Sequence, residues 1–302
     1  VSTGGGNKAI VAAFLANLGI AIAKFVGFLI TGSSSMLAES IHSAADTGNQ
    51  ALLAIGQRRA KRAPDELHQF GYGRERYFYS FVVAMVLFSL GSLFAIYEGI
   101  EKIRHPEHVE SVEIAIAVLL VAVVLEGFSF RTAIAESNVL RGSSTWREFI
   151  RRAKVPELPV VLLEDFGALI GLVVALVALL LAWKVDPVFD GVGTLVIGFL
   201  LGIIAVVLAI EMKSLVIGEA VDPAVESEIV RAMELHPQVE RVIHMRTEHL
   251  GPDEVLVAAK LAFGPALDLR SLAATIDEVE VAIRTTYPAA RLVYLEPDLD
   301  RT

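Results

Sequence analysis

The stretch Glu39-Ser40-Ile41-His42-Ser43-Ala44-Ala45-Asp46-Thr47-Gly48-Asn49-Gln50 holds the residues best spaced for chemistry. Glu39, His42, Asp46 and Asn49 recur at intervals of three, four and three, which sets them on one stripe of an α-helix. His42 and Asp46, at i and i+4, present an imidazole nitrogen and a carboxylate to one point. That is a half-site for a first-row divalent metal. The same pair also reads as a polar seam, hydrogen-bonded to a neighbouring helix. Ser43, Ala44 and Ala45 are small and let another helix approach closely. A second acidic spot, Glu164-Asp165, lies inside Leu162-Leu163-Glu164-Asp165-Phe166-Gly167-Ala168. Adjacent helical residues point about 100° apart, so the two carboxylates cannot aim equally well at one ion. Asp165 is the expected ligand. Glu164 is either an outer-shell or proton-handling group, or the partner of Lys24. Glu39 and Asn49 are auxiliary candidates.

These polar groups sit in apolar surroundings. The chain of 302 residues is 54% hydrophobic, with a mean hydropathy of +0.59, too apolar for an ordinary soluble domain. The excess falls in blocks of about 20 residues, the length that crosses a bilayer core. Six spans are expected, near Ile10–Ile30, Met36–Ile55, Tyr77–Ile100, Val109–Ile134, Leu158–Trp183 and Val192–Glu211. Helices are expected, because they satisfy their backbone hydrogen bonds internally. An ionisable group at mid-bilayer costs about 2.5–3.5 kcal/mol on insertion scales, so a stripe of them needs a partner charge, water or an ion.

Positive charge is uneven between the spans. Arg58, Arg59, Lys61, Arg62, Arg74 and Arg76 fall between the second and third, and Arg141, Arg147, Arg151, Arg152 and Lys154 between the fourth and fifth. The alternate connections hold Lys102 and Arg104, Lys184, or nothing. The positive-inside rule then places both termini in the cytoplasm. The N-terminus, Val1–Asn7, is small and polar and does not read as a cleavable signal. A bacterial inner membrane is the expected host.

From Lys213 onward the pattern changes. This segment has 9 Lys/Arg against 16 Asp/Glu, which carries most of the net charge of −9 and argues against nucleic acid as a partner. Pro223–Leu235 reads as an amphipathic helix capped by Asp222. Val239–Thr247 and Val255–Phe263 read as strands around the turn Gly251-Pro252-Asp253. Leu269–Thr286 reads as a helix and Ala290–Glu296 as a third strand. The expectation is therefore an all-α six-helix transmembrane domain over 1–212. A small α+β cytoplasmic domain, αββαβ and ferredoxin-like, follows over 213–302.

There are no cysteines, so no thiolate metal site. Neither H-E-x-x-H nor G-x-S-x-G occurs, so an intramembrane protease is disfavoured and no enzyme is expected. His244, His249 and Glu296 are candidates for metal in the tail, although a strand histidine is more often a packing or surface residue. His105 and His108 read as solvated loop residues. Glu126 reads as a relay group or as the partner of Arg131.

The whole set of motifs resembles the cation diffusion facilitator family, in its zinc transporter 9-like branch. The resemblance is carried by Thr31-Gly32-Ser33 with Met36-Leu37-Ala38-Glu39, by His42-Ser43 and Asp46-Thr47-Gly48-Asn49-Gln50, and by Phe70-Gly71-Tyr72-Gly73-Arg74-Glu75-Arg76-Tyr77. Phe149-Ile150-Arg151-Arg152 and Pro156-Glu157-Leu158-Pro159 ahead of Glu164-Asp165 complete it. It implies a homodimeric, proton-coupled efflux antiporter for divalent cations, zinc first and Mn2+, Fe2+, Co2+ or Cd2+ next, with no cofactor. The family builds its transport site from two ligand pairs, on the second and fifth spans. His42 and Asp46 match the first pair. In the second, Asp165 matches, but Val161 stands where a His or Asp is usual. Asn49, Glu164 or water is left to complete the set, which makes the site richer in oxygen. His42 is the expected coupling group, since an unperturbed histidine titrates near pH 6.5. A non-transporting metal sensor or interaction protein of the same fold is the alternative.

Overall fold

The computed structural model describes residues 4–109 and 112–298. The start of the expected N-terminal segment at Val1 and the first turn of the expected fourth span, at Glu110 and Ser111, lie outside the described residues. Two compact units divide after Gln57, after Tyr77 and after Lys213, so the segment 58–77 belongs with the C-terminal unit.

The first unit is built from long helices. These are α1 (Gly4–Thr31), α2 (Ser34–Ala60), α3 (Glu75–Arg104), α4 (Val112–Arg141), α6 (Glu157–Lys184) and α7 (Val188–Ile217), with a short α5 (Trp146–Arg152) before α6. α3, α4, α6 and α7 are long and apolar enough to cross a membrane. In α1 the stretch Leu18–Thr31 is also apolar. α2, at 27 residues, has the length, about 40 Å at 1.5 Å per residue. It lacks the apolarity, because its inner face is the polar stripe.

The unit is inverted relative to a soluble bundle. Ile22, Phe25, Leu29, Val121, Phe128, Phe199 and Ile203 are exposed, whereas Lys24, Glu39, His42, Asn49, Glu126 and Glu164 are buried. Apolar outside and ionisable inside is the arrangement a hydrocarbon solvent selects. α4 and α6 pack along much of their length, and α1 packs on α4. α5 fixes the end of that pair: Phe149 is buried with Ala133 of α4 and Leu162 of α6. Its start is set by a capping box between Thr145 and Glu148, whose bonds from Thr145 hold the Glu148 carboxyl below its ordinary range.

α3 and α7 approach to backbone contact. A Cβ on Gly99 would stand 2.8 Å from the amide nitrogen of Leu195, and one on Gly191 would stand 2.9 Å from that of Ile103. Such crossings need residues without side chains. Between Leu87 and Leu93, α3 winds as a π-helix.

The C-terminal unit holds α8 (Pro223–Glu234), β1 (Val239–Gly251), β2 (Glu254–Phe263), α9 (Leu269–Thr286) and β3 (Leu292–Asp298). β1 and β2 form an antiparallel hairpin, and β3 joins β2 in parallel after the crossover through α9. Ile229, Met233, Val257, Leu261, Val279 and Ile283 fill the core between sheet and helices. The expected order αββαβ is present. Asp222 has the extended backbone of a cap, but its side chain accepts no capping bond, and Pro223 in the first turn starts α8 instead. Asp268 does cap α9, accepting from the Ser271 amide at 2.7 Å.

The segment 58–77 is ordered against the β1–β2 hairpin. Arg74 pairs with Glu248, and Arg76 with Asp253 at 3.3 Å. A Cβ on Gly73 would meet the Leu250 carbonyl oxygen at 2.5 Å, so only glycine fits there. Within the loop Asp65 accepts from the Tyr72 hydroxyl and from the amides of Leu67 (3.0 Å) and His68 (2.8 Å). These bonds, the one from Tyr72 first, hold its carboxyl below the ordinary range.

Candidate metal site

Glu39, His42, Asp46 and Asn49 do share one stripe of α2, facing inward. His42 Nε2 lies 3.5 Å from Asp46 Oδ2, close but longer than a good hydrogen bond. Five buried atoms of this stripe lack a hydrogen-bond partner among the described residues: Glu39 Oε1, both ring nitrogens of His42, Asp46 Oδ1 and Asn49 Oδ1. Each such group costs about 1–3 kcal/mol when left unpaired. A row of them marks a place where a polar guest is stabilised.

α6 brings its acids to the same region. Asn49 Nδ2 donates to Glu164 Oε1 at 2.7 Å, and Ser129 of α4 donates to Asp165 Oδ2 at 2.8 Å. Asp46, Glu126, Glu164 and Asp165 line one cavity with Ser43, Gln50 and Val161. The cavity leaves only about 10 Å³ for the centre of a water-sized sphere, the scale of a single water molecule or bare ion. Its lining groups surround this space without closing on it. Among the described residues, no group of three or more His, Asp or Glu converges tightly enough to hold a metal ion.

Several expectations change at this point. Lys24 does not pair with Glu164. Its ammonium donates to Glu39 Oε2 at 3.2 Å and Ser43 Oγ at 2.7 Å. Glu39 is thus part of an ion pair, and Glu164 answers to Asn49. Glu126 does not go to Arg131; it is buried on the cavity wall, while Arg131 lies exposed. Gln50 and Ser129 were not singled out from the sequence. Ser43, Asp46 and Gln50 repeat at three and four, and Glu126 and Ser129 lie three apart, so the helical period held that signal.

The other histidines form no cluster. His105 faces Glu101 at 3.6 Å on the exposed end of α3, and His108 lies exposed beyond it. His244 and Glu296 fall on the same rung of the tail sheet, but Lys260 stands between them. Its ammonium takes Glu296 at 3.0 Å and Asp298 at 3.1 Å, so a cation already fills the position. His249 is buried on β1, with its amide donating to the Glu219 carbonyl oxygen at 2.8 Å.

Long helices with apolar exteriors around a buried polar cavity define a multi-pass membrane protein. Residues 10–215 match the model of the cation efflux transmembrane domain, and the chain belongs to that family, as its motifs lead one to expect. The family's members are transporters, not enzymes. The mitochondrial proton-coupled zinc antiporter of Mus musculus is 31% identical over 254 residues, which is 82% of this chain and 44% of that protein. A metal tolerance protein of Arabidopsis thaliana is 31% identical over 261 residues, 85% of this chain and 57% of that one. The chain thus spans about half the length of the curated relatives it matches. A solved C-terminal domain of MamM, a single-substitution variant in a nickel form, aligns with 26% of this chain over its whole length, at 20% identity and TM-score 0.25.

Proposed function

We propose that this chain is a proton-coupled divalent-cation efflux transporter whose principal cargo is zinc. The observation that carries the reading is the small cavity lined by Asp46, Glu126, Glu164 and Asp165 inside a membrane-spanning helical unit. The vertebrate and plant relatives, one of them named as a proton-coupled zinc antiporter, support it.

His42, Asp46, Asp165 and Glu164 are the proposed ligands. Asn49 holds Glu164 in place, and Glu39 is withdrawn from the set by Lys24. Val161 offers no donor, so oxygen outweighs nitrogen. Mn2+, Fe2+, Co2+ and Cd2+ are therefore cargo to be tested beside zinc. Loading draws the ligands of α2 and α6 together, and the helices rock to present the ion to the other face. Protons and metal compete for the same donors, because ligands must be deprotonated to bind metal. A proton gradient can thus drive release.

The tail over 213–302 is the proposed dimerisation and regulatory domain, and the transport domain is 1–212. The proposed orientation puts the Arg/Lys-rich connections on the cytoplasmic side of a bacterial inner membrane. Localisation to a mitochondrial membrane is the other outcome of a fusion-reporter assay. The decisive experiment is ion flux into proteoliposomes across an imposed pH gradient, with Asp46→Ala as control. Flux that needs both the gradient and Asp46 is expected. Metal binding with no flux for any ion favours a sensor of the same fold.

A further inference from the structure

Lys24 is a full positive charge fixed beside a site meant for cations. It is completely buried on α1, and its ammonium is held by Glu39 and Ser43. Ser43 also lines the cavity, next to Asp46. The ammonium therefore stands one residue, Ser43, away from the lining of the space the cation would occupy. Buried ion pairs add little net stability over apolar residues of similar size, so folding does not account for a charge placed here.

Its partner is held asymmetrically. Only Oε2 of Glu39 meets Lys24, and Oε1 has no hydrogen-bond partner among the described residues. Gly171 of α6 makes the room for that oxygen, since a Cβ there would stand 2.6 Å from it. The ammonium thus shares Ser43 with the cavity lining, whereas the Glu39 carboxylate, which is not part of that lining, lies against α6 at Gly171. An acidic cavity with four carboxylates would hold a divalent ion tightly. A fixed opposing charge weakens that hold and favours release.

We propose that Lys24 sets the affinity of the cavity, acting as a built-in counter-cation that keeps the divalent ion exchangeable. The proposal rests on the transport reading above and assigns the pair Lys24–Glu39 a positioning role rather than a ligand role.

The test is equilibrium dialysis of zinc against the purified full chain in nanodiscs, with flux measured alongside. Glu39→Gln leaves the ammonium unopposed, and its zinc Kd should rise by about tenfold or more. Lys24→Met should lower Kd and slow the maximal rate. The double variant should bind at least as tightly as the parent. Lys24→Arg, which keeps the charge, should leave Kd within about threefold of the parent.

Opposite shifts from the two halves of one ion pair are not what a packing role produces. Single variants that both weaken binding, or a double variant that keeps the raised Kd, would overturn the proposal. If Glu39→Gln does not fold, Lys24→Met and the double variant still decide, because the first must bind more tightly than the parent and the second at least as tightly. Zinc binding by the parent without flux refutes the transport reading while leaving this Kd order fully readable. No binding by the parent refutes both.

Discussion

Gly171→Ala is the substitution whose consequence can be worked most directly. A methyl there would stand 2.6 Å from Glu39 Oε1. That oxygen must retreat by roughly 0.4–0.8 Å to reach an ordinary contact. Its carboxylate is already at 3.2 Å from Lys24, so the retreat strains a buried ion pair. Overpacking of this kind costs about 1–3 kcal/mol, against a gain of up to about 1 kcal/mol from replacing a helical glycine.

Gly127→Ala is the matched control. It also lies within a spanning helix, and a Cβ there would meet nothing within 4 Å. The control should be neutral or slightly stabilising, and Gly171→Ala should lie about 1–3 kcal/mol below it. At about 2–4 °C per kcal/mol for a unit of this size, the two melting temperatures should differ by several degrees. Thermal unfolding in detergent measures this. Equal melting temperatures would refute the claim that Glu39 is packed against α6.

Other outcomes follow from the same geometry. Asn49→Ala removes the 2.7 Å bond to Glu164, and loss of a hydrogen bond to a charged group, about 1.5–3 kcal/mol, should weaken zinc binding by roughly tenfold or more in dialysis. Val161→His adds a nitrogen donor to the cavity wall, at a position where a His or Asp is expected, and should tighten zinc relative to manganese in competitive flux. In the loop, Asp65 has a depressed carboxyl, so the order it contributes is present above the ordinary carboxylate value. That order is lost as pH falls through the lower folded value. Tyr72→Phe removes the main cause and should move the loss of protection at the Leu67 and His68 amides to higher pH, read by hydrogen exchange on acidification.

The helices were legible because their signals are local. Apolar length marked the spans, and the spacing of Glu39, His42, Asp46 and Asn49 marked a buried face. In the tail, alternation and turn residues located β1, β2 and β3 within a few residues, and α9 at its full length. Partner choice was not legible. Lys24 goes to Glu39 rather than Glu164, and Glu126 turns to the cavity rather than to Arg131. Both outcomes depend on how α1, α2, α4 and α6 are rotated against each other, which no single segment encodes. The seating of the loop 58–77 on the hairpin was equally hidden, because Gly73 reads as an ordinary loop glycine until the Leu250 carbonyl is placed beside it. Asp222 shows the converse limit: its cap position was identified, but Pro223 made the side-chain bond unnecessary.

The π-helical turns in α3 carry a consequence for the length of the chain itself. A π turn accommodates one residue more than the α turn it replaces. Side chains beyond Leu93 are therefore out of phase, by about 100°, with the α-helical face that begins at Glu75. Gly99 meets α7 only in that shifted phase. Deleting one residue between Leu87 and Leu93 would let α3 regularise and leave Ile96 and Gly99 on the glycine seam formed by Gly191 and Gly198, whereas deleting one after Leu93 and before Ile96, with the π turns kept, would turn both off it by about 100°. The wall of helix α7 is thus matched to a count of residues as much as to their identity, and the π turns are the one place in α3 where a one-codon deletion can be absorbed without losing that match.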